Sequence, residues 1–153
     1  MSACDHVPVT SDGAPEGTAY EWYRRAIDLL ERGDASASLV LLDRVLTEDP
    51  DSVSAREARA RALFDARRFD EAADAFDSLV QVNPSDDFAH YGLGMALWRL
   101  QRFRHAEDHL AMASVMRPDR DDYRTALDQV RATLRARRQA GLPLEGPLDA
   151  GGP

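Results

Sequence analysis

Three prolines constrain this chain more than any other feature. Pro50, Pro84 and Pro118 stand 34 residues apart, each ending an apolar run and each followed by polar residues suited to starting a helix. Proline lacks an N–H and disfavours the α conformation in the residue before it, so each one closes a helix. A spacing this strict marks a repeated helix–turn–helix unit. Such a unit cannot bury its apolar face alone, and it gains a core by stacking on its neighbours.

Two amphipathic patterns fill each interval. In the first, Tyr20, Tyr23, Ala26, Ile27 and Leu30 recur at helical spacing before the turn "RGD" (32–34), and Leu39, Leu42, Val45 and Leu46 follow. The second interval has Ala58, Ala62, Leu63 and Phe64, then Phe69, Ala72, Ala73, Phe76 and Leu79. The third has Phe88, Tyr91, Gly94, Met95, Leu97 and Trp98, then Phe103, Ala106, Leu110 and Ala113. The units run over about 19–52, 53–86 and 87–120. Asp51 or Ser52, Ser85 or Asp86, and Asp119 or Asp121 are placed to cap the helix after each proline. No stretch carries the two-residue alternation of a strand.

Beyond Pro118, Tyr123, Ala126, Leu127, Val130 and Leu134 make one apolar stripe, with arginines on the other faces. This predicts a terminal helix over 121–140 that covers the last repeat and ends at Gly141. Residues 1–18 and 141–153 are rich in Gly, Pro, Ser and Asp and have no periodicity, so both are expected to be unstructured tails.

The formal net charge of −8 argues against a chain that grips nucleic-acid phosphates. Every basic side chain is arginine, and the weight of Ala, Arg and Asp suggests GC-rich coding and a bacterial source. The lone cysteine, Cys4, cannot close an internal disulfide and fits a reducing compartment. The first residues lack a basic stretch followed by an apolar core, and no run approaches the roughly twenty apolar residues of a membrane span. The expectation is a soluble cytoplasmic protein with no nucleic-acid or membrane partner.

The sequence offers little for catalysis. His105 and His109 share a helix face near Glu107 and Asp108, yet no third histidine completes a zinc set, so no metal is expected. There is no Gly-x-Ser-x-Gly elbow, and "GLG" (92–94) falls inside a helix where it cannot cradle phosphate. The turn explains "RGD", and the solvated side of the terminal helix explains "RATLRARRQ" (131–139). The chain therefore reads as non-enzymatic and without a cofactor.

The units resemble the tetratricopeptide repeat family, whose pattern runs Trp-x2-Leu-Gly-x2-Tyr, Ala-x3-Phe, Pro. Matching positions are Trp22, Arg25, Ala26, Leu29, Ser38, Leu42 and Pro50, then Arg56, Arg59, Ala60, Leu63, Ala72, Phe76 and Pro84. The third unit supplies His90, Leu93, Gly94, Leu97, Ala106, Leu110 and Pro118. Arg25 and Arg59 depart from the usual leucine. The resemblance implies an all-α, right-handed α-solenoid of three repeats plus a capping helix, with the first helix of each repeat lining a concave groove.

It also implies which side chains point into that groove. The first repeat gives Tyr20, Tyr23, Arg24, Ile27 and Leu30, and the second gives Glu57, Arg61, Phe64 and Asp65. The third gives Phe88, Tyr91, Met95, Trp98 and Arg99. Aromatic and arginine side chains dominate binding energy at interfaces. The expected function is a non-catalytic protein–protein interaction module for a segment with apolar side chains and an acidic group, the latter matched to Arg24, Arg61 and Arg99.

Many relatives hold a chaperone's C-terminal carboxylate in a lysine–asparagine–arginine clamp. The matching positions here are Tyr23, Ile27, Ala58, Tyr91 and Met95, so that mode is not expected. The alternative is a homo-oligomer, with the groove filled by a second copy or by its tail, which carries Leu142, Leu144, Leu148, Glu145 and Asp149.

Overall fold

The computed structural model describes residues 17–148, which form seven helices. They are α1 (Ala19–Glu31), α2 (Ala35–Glu48), α3 (Val53–Asp65), α4 (Phe69–Val82), α5 (Asp87–Arg99), α6 (Phe103–Met116) and α7 (Asp121–Gln139). No strand occurs among the described residues. Each helix packs on the next in sequence. The first helices also meet one another, α1 with α3, α3 with α5 and α5 with α7, whereas α2, α4 and α6 do not. The stack is therefore an α-solenoid of three helix pairs and a final helix, with α1, α3, α5 and α7 along the inner wall.

Both kinds of turn repeat with the period. The residue before each proline sits at φ −135°, −136° and −132°, outside the helical region. Within the repeats, Gly33, Arg67 and Gln101 occupy one register position and take φ of 86°, 62° and 60°. The next amide then reaches back to an orphan carbonyl: Asp34 to Leu29, Arg68 to Leu63 and Arg102 to Leu97, each at 2.9 Å. Only the first turn uses glycine. Arg67 and Gln101 each bear a left-handed conformation that costs a non-glycine residue about 1 kcal/mol.

The capping expectations are met at two prolines out of three. Ser52 accepts from the Ala55 N–H and Asp86 from the Ala89 N–H, while Asp34 caps α2 at the "RGD" turn. The start of α7 has no side-chain cap, because Asp119 pairs with Arg117 and Asp121 with Arg124. Thr18, expected in the N-terminal tail, instead caps α1. Its hydroxyl accepts from the Glu21 N–H, and the Glu21 carboxylate accepts from the Thr18 N–H. The rest of that tail, through residue 16, lies outside the described residues, as do residues 149–153.

The small residues of the repeat pattern set the helix spacing. Ala26, Ala60 and Gly94 are buried, as are Ser38, Ala72 and Ala106. A Cβ on Gly94 would stand 2.7 Å from Leu110 Cγ, so a larger residue there would force α5 and α6 apart. In the first repeat Ser38 donates its O–H to the Ala26 carbonyl at 2.7 Å. On α7, Tyr123, Ala126, Leu127, Val130 and Leu134 are all buried, as its stripe foretold.

Residues 142–148 correct the expectation of a free C-terminal tail. They fold back over the start of α6 and the end of α7, with Leu144 packed against the core. The Gly146 N–H donates to the Gln101 carbonyl at 3.0 Å. Buried Arg137 donates to the carbonyls of Pro143 and Gly146 at 2.9 and 2.7 Å and lies 4.6 Å over the Phe103 ring. Helix α6 has neither a capping side chain nor an acidic residue in its first turn, and Glu145 makes up for both by accepting from the Arg104 N–H at 3.0 Å. Composition hid this strap, because its affinity for the fold rests on carbonyls and one carboxylate rather than on periodic apolar residues.

Candidate binding surface on the concave face

The inner wall divides into an open part and a filled part. The open part lies between α1, α3 and the start of α5. Tyr23, Ile27, Leu30, Ser54, Glu57, Ala58, Arg61 and Phe88 line a shallow hollow of about 210 Å³ there. A second hollow of about 310 Å³, lined by Tyr23, Arg24, Ile27, Asp28 and Glu31, shares Tyr23 and Ile27 with the first. The first hollow is open beside Ser54, a short side chain at the register position that Phe88 fills in the third repeat and Asp122 in the capping helix. Tyr23, Ile27 and Phe88 are half-buried, one side on the core and the other facing the hollow.

Farther along, the wall is filled. Tyr91 stacks on buried Tyr123 with ring centroids 4.5 Å apart, and the Tyr123 hydroxyl donates to Asp87 at 2.8 Å. Burial raises the Tyr91 pKa, with a further push from the Asp122 carboxylate. Met95 and Trp98 are half-buried against the core. Phe64 is held at the edge of the array, 5.2 Å from Phe69, and the Arg99 guanidinium covers both rings at 5.6 and 5.4 Å.

Of the side chains expected in the groove, the structure thus gathers Tyr23, Arg24, Ile27, Leu30, Glu57, Arg61 and Phe88 around one connected hollow. Tyr20 stands at its rim, 69% exposed. Phe64, near the end of α3, packs on Phe69 at the start of α4, Arg99 reaches over both from the end of α5, and Tyr91 serves mainly to seat α7. Tyr23, Tyr91 and Trp98 are all partly accessible, and none is sealed in the interior. Ser54, Asp28 and Glu31 were not among the expected residues. The repeat period offered a signal for Ser54, which occupies the register position of Phe88.

The charges in the hollow are unevenly satisfied. Arg24 lies 6.0 Å from the Tyr20 ring, and Arg61 approaches Asp65 at 3.9 Å. Glu57 has acidic neighbours instead. Burial, the carboxylate of Asp86 and then that of Asp87 all raise its pKa above the ordinary carboxylate range. Asp86 is fixed by its capping bond to Ala89, and Asp87 by Tyr123.

Two features lie elsewhere. A larger hollow of about 510 Å³ opens between α2, α3 and α4, but its two arginines are engaged internally. Arg59 pairs with Asp43 at 2.8 Å, and Arg56 donates to Ser78 at 2.7 Å. That contact also explains Arg59 at the usual leucine position. The histidines pair across helices. His109 does not act with exposed His105 but meets buried His90 of α5, Nδ1 to Nδ1, at 3.1 Å. His90 Nε2 donates to the Pro84 carbonyl at 2.8 Å, so its Nδ1 accepts from His109 when both rings are neutral. Burial and then His90 lower the His109 pKa.

An all-helical stack with an accessible inner wall defines a repeat scaffold of the kind that presents an extended concave surface. The chain belongs to the tetratricopeptide repeat family: the family model matches residues 23–87 and again 58–120. A 102-residue stretch is 32% identical to a protein of Arabidopsis thaliana, the inactive TPR repeat-containing thioredoxin TTL3. The match covers 67% of this chain but only 15% of that relative. Among solved structures, MamA from Desulfovibrio magneticus superposes with a TM-score of 0.73 at 20% identity, covering 81% of this chain and 70% of MamA. The first TPR domain of Spaghetti (RPAP3), bound to the HSP90 peptide SRMEEVD, gives 0.72 at 19% identity over 83% of this chain and 97% of its own. These structural likenesses concern the fold. No helix of the described residues is long and apolar enough to cross a membrane.

Proposed function

We propose that this protein is a non-catalytic interaction module that takes a partner peptide or segment into the hollow between α1, α3 and α5. One observation carries the reading: Tyr23, Ile27 and Phe88 present half-buried apolar surface around an open concavity that no other described residue covers. Rigid rings over a concave floor let a partner side chain bury area at little entropic cost. The clamp positions hold Tyr23, Ile27, Ala58, Tyr91 and Met95, so the carboxylate-clamp mode is not carried over from the family. The acidic group first expected in the partner rested on Arg24, Arg61 and Arg99. Each of these already faces a ring or a carboxylate of its own chain, which leaves the apolar contact as the stronger part of that expectation. The cytoplasmic, bacterial setting suggested by the lone cysteine and the arginine-rich composition belongs to this reading as well.

Panning a random peptide library on the full chain tests the site. Selected peptides should weaken at least roughly tenfold against Tyr23→Ala, the loss expected when an aromatic anchor is truncated. They should keep their affinity for Ser78→Ala on the outer face. Equal affinity for all three proteins would remove the concave site.

A second copy as occupant is favoured by Tyr20, whose ring is exposed on α1. The copy's tail is a poor candidate for that role, because Leu144 and Glu145 are engaged on their own chain. Light scattering decides this alternative. A dimer that Tyr20→Ala and Tyr23→Ala dissociate would assign the face to self-association.

A further inference from the structure

The hollow specifies more about its occupant than apolar character. Its floor is uncharged where Ile27, Leu30 and Ala58 meet, and Tyr23 and Phe88 wall it. Among the described residues, the carboxylate that edges it, Glu57, has no ion pair of the kind its neighbours make. Arg61, four residues on, approaches Asp65 at 3.9 Å, and Asp28 is paired with Arg32 at 3.0 Å. On the far side Glu57 meets Asp86 and Asp87, which are held by the α5 N-terminus and by the Tyr123 hydroxyl and cannot turn away. Glu31 adds another negative group along the same wall. The open half of the concave face therefore combines an apolar seat with an excess of fixed negative charge, inside a chain whose formal net charge is −8.

Resting on the interaction-module reading above, we propose that the occupant is a partner segment bearing an aliphatic side chain beside a lysine or arginine. The aliphatic group lodges between Tyr23, Ile27 and Phe88, and the cation reaches Glu57. A cation there relieves repulsion already present in the free protein, so it binds with less desolvation cost than at an isolated carboxylate. An acidic segment meets the opposite situation. It would add charge beside Glu57, and it would have to draw Arg24 and Arg61 away from their present contacts.

The test uses two synthetic heptapeptides, SEMEEVE and its charge-reversed counterpart SKMKKVK, titrated into the full chain at low salt with amide chemical shifts as readout. The expected result is that SKMKKVK shifts signals of Tyr23, Ile27, Glu57 and Phe88 and binds at least roughly tenfold more tightly than SEMEEVE, as a charge-assisted contact requires. Glu57→Gln should abolish that preference, and added salt should shrink it. Equal or tighter binding of SEMEEVE, or a preference that survives Glu57→Gln, overturns the cationic occupant. If both peptides bind alike and Tyr23→Ala weakens both, the hollow remains a binding site and only its charge preference is wrong. If neither peptide shifts any signal from the hollow, the cationic occupant and the concave site fall together.

Discussion

The two halves of the inner wall share a backbone and differ in what fills it. One register position holds Tyr23, Glu57 and Tyr91 in successive repeats and Thr125 in the capping helix. Between α1 and α3 that series leaves a hollow edged by a strained carboxylate. Between α5 and α7 it produces a ring stack, Tyr91 on Tyr123, anchored through a hydroxyl to Asp87. The period builds the frame, and departures from it decide where the frame stays open. A repeat array whose positions were all equally filled would have a stable wall and nowhere to bind.

The largest expected effect breaks the filled half. Tyr123 is 1% exposed, and Tyr123→Ala would remove the stack, the hydroxyl contact and the burial together. The loss should be about 3–5 kcal/mol, the range for truncating a buried aromatic. Thermal unfolding followed by helical circular dichroism measures it. Tyr23→Ala, at the open half, should cost about 1 kcal/mol or less because its ring is only half-buried. Similar losses for the two variants would mean that the halves do not differ as described.

That asymmetry was only partly legible in the sequence. Pro50, Pro84 and Pro118 gave away the helix pairs because proline acts on the chain locally. Ala26, Ala60 and Gly94 marked close helix approaches for the same kind of reason. The stripe Tyr123 to Leu134 announced a capping helix, since burial follows helical spacing. The site was harder to read, because a half-buried ring on an inner helix can face either a neighbour or a cavity. Phe88 and Tyr91 are three residues apart and look alike in sequence. The first borders the hollow and the second is occupied by α7, a difference set by Tyr123 more than thirty residues away. The strap was not visible at all, since Arg137 is one arginine among several until Pro143 and Gly146 turn their carbonyls toward it.

That strap belongs to the filled end and supports the next prediction. Arg137→Ala would leave the Pro143 and Gly146 carbonyls without their donor and uncover Phe103, at a cost of about 1–3 kcal/mol. Hydrogen exchange should accelerate in the first turn of α6 and not in that of α4, which carries its own Asp70 and Glu71. Binding at the hollow should not change. If Arg137→Ala weakened peptide capture while the fold persisted, the two ends of the wall would be coupled, and their independence would have to be given up.

The smallest effect is at Glu57 and has the opposite sign. Its pKa is raised in the folded chain by burial and by Asp86 and Asp87. A carboxyl with a raised folded pKa binds protons more readily when folded. The stability it contributes is therefore present below its unfolded value near 4.5 and is lost as pH rises through the folded value. At pH 7 the ionised group works against the fold, so Glu57→Gln should raise the melting temperature slightly at pH 7 and lose that advantage near pH 4. Asp43→Asn, which neutralises an ion-paired carboxylate held by Arg59, should not raise stability at pH 7. A residue that destabilises the free protein yet stands at the edge of its open hollow is what a binding site leaves behind when its counter-charge comes from the partner. A Glu57→Gln protein that melts lower at pH 7 would show that the carboxylate is already satisfied, and the contrast between the two halves would then be one of shape alone.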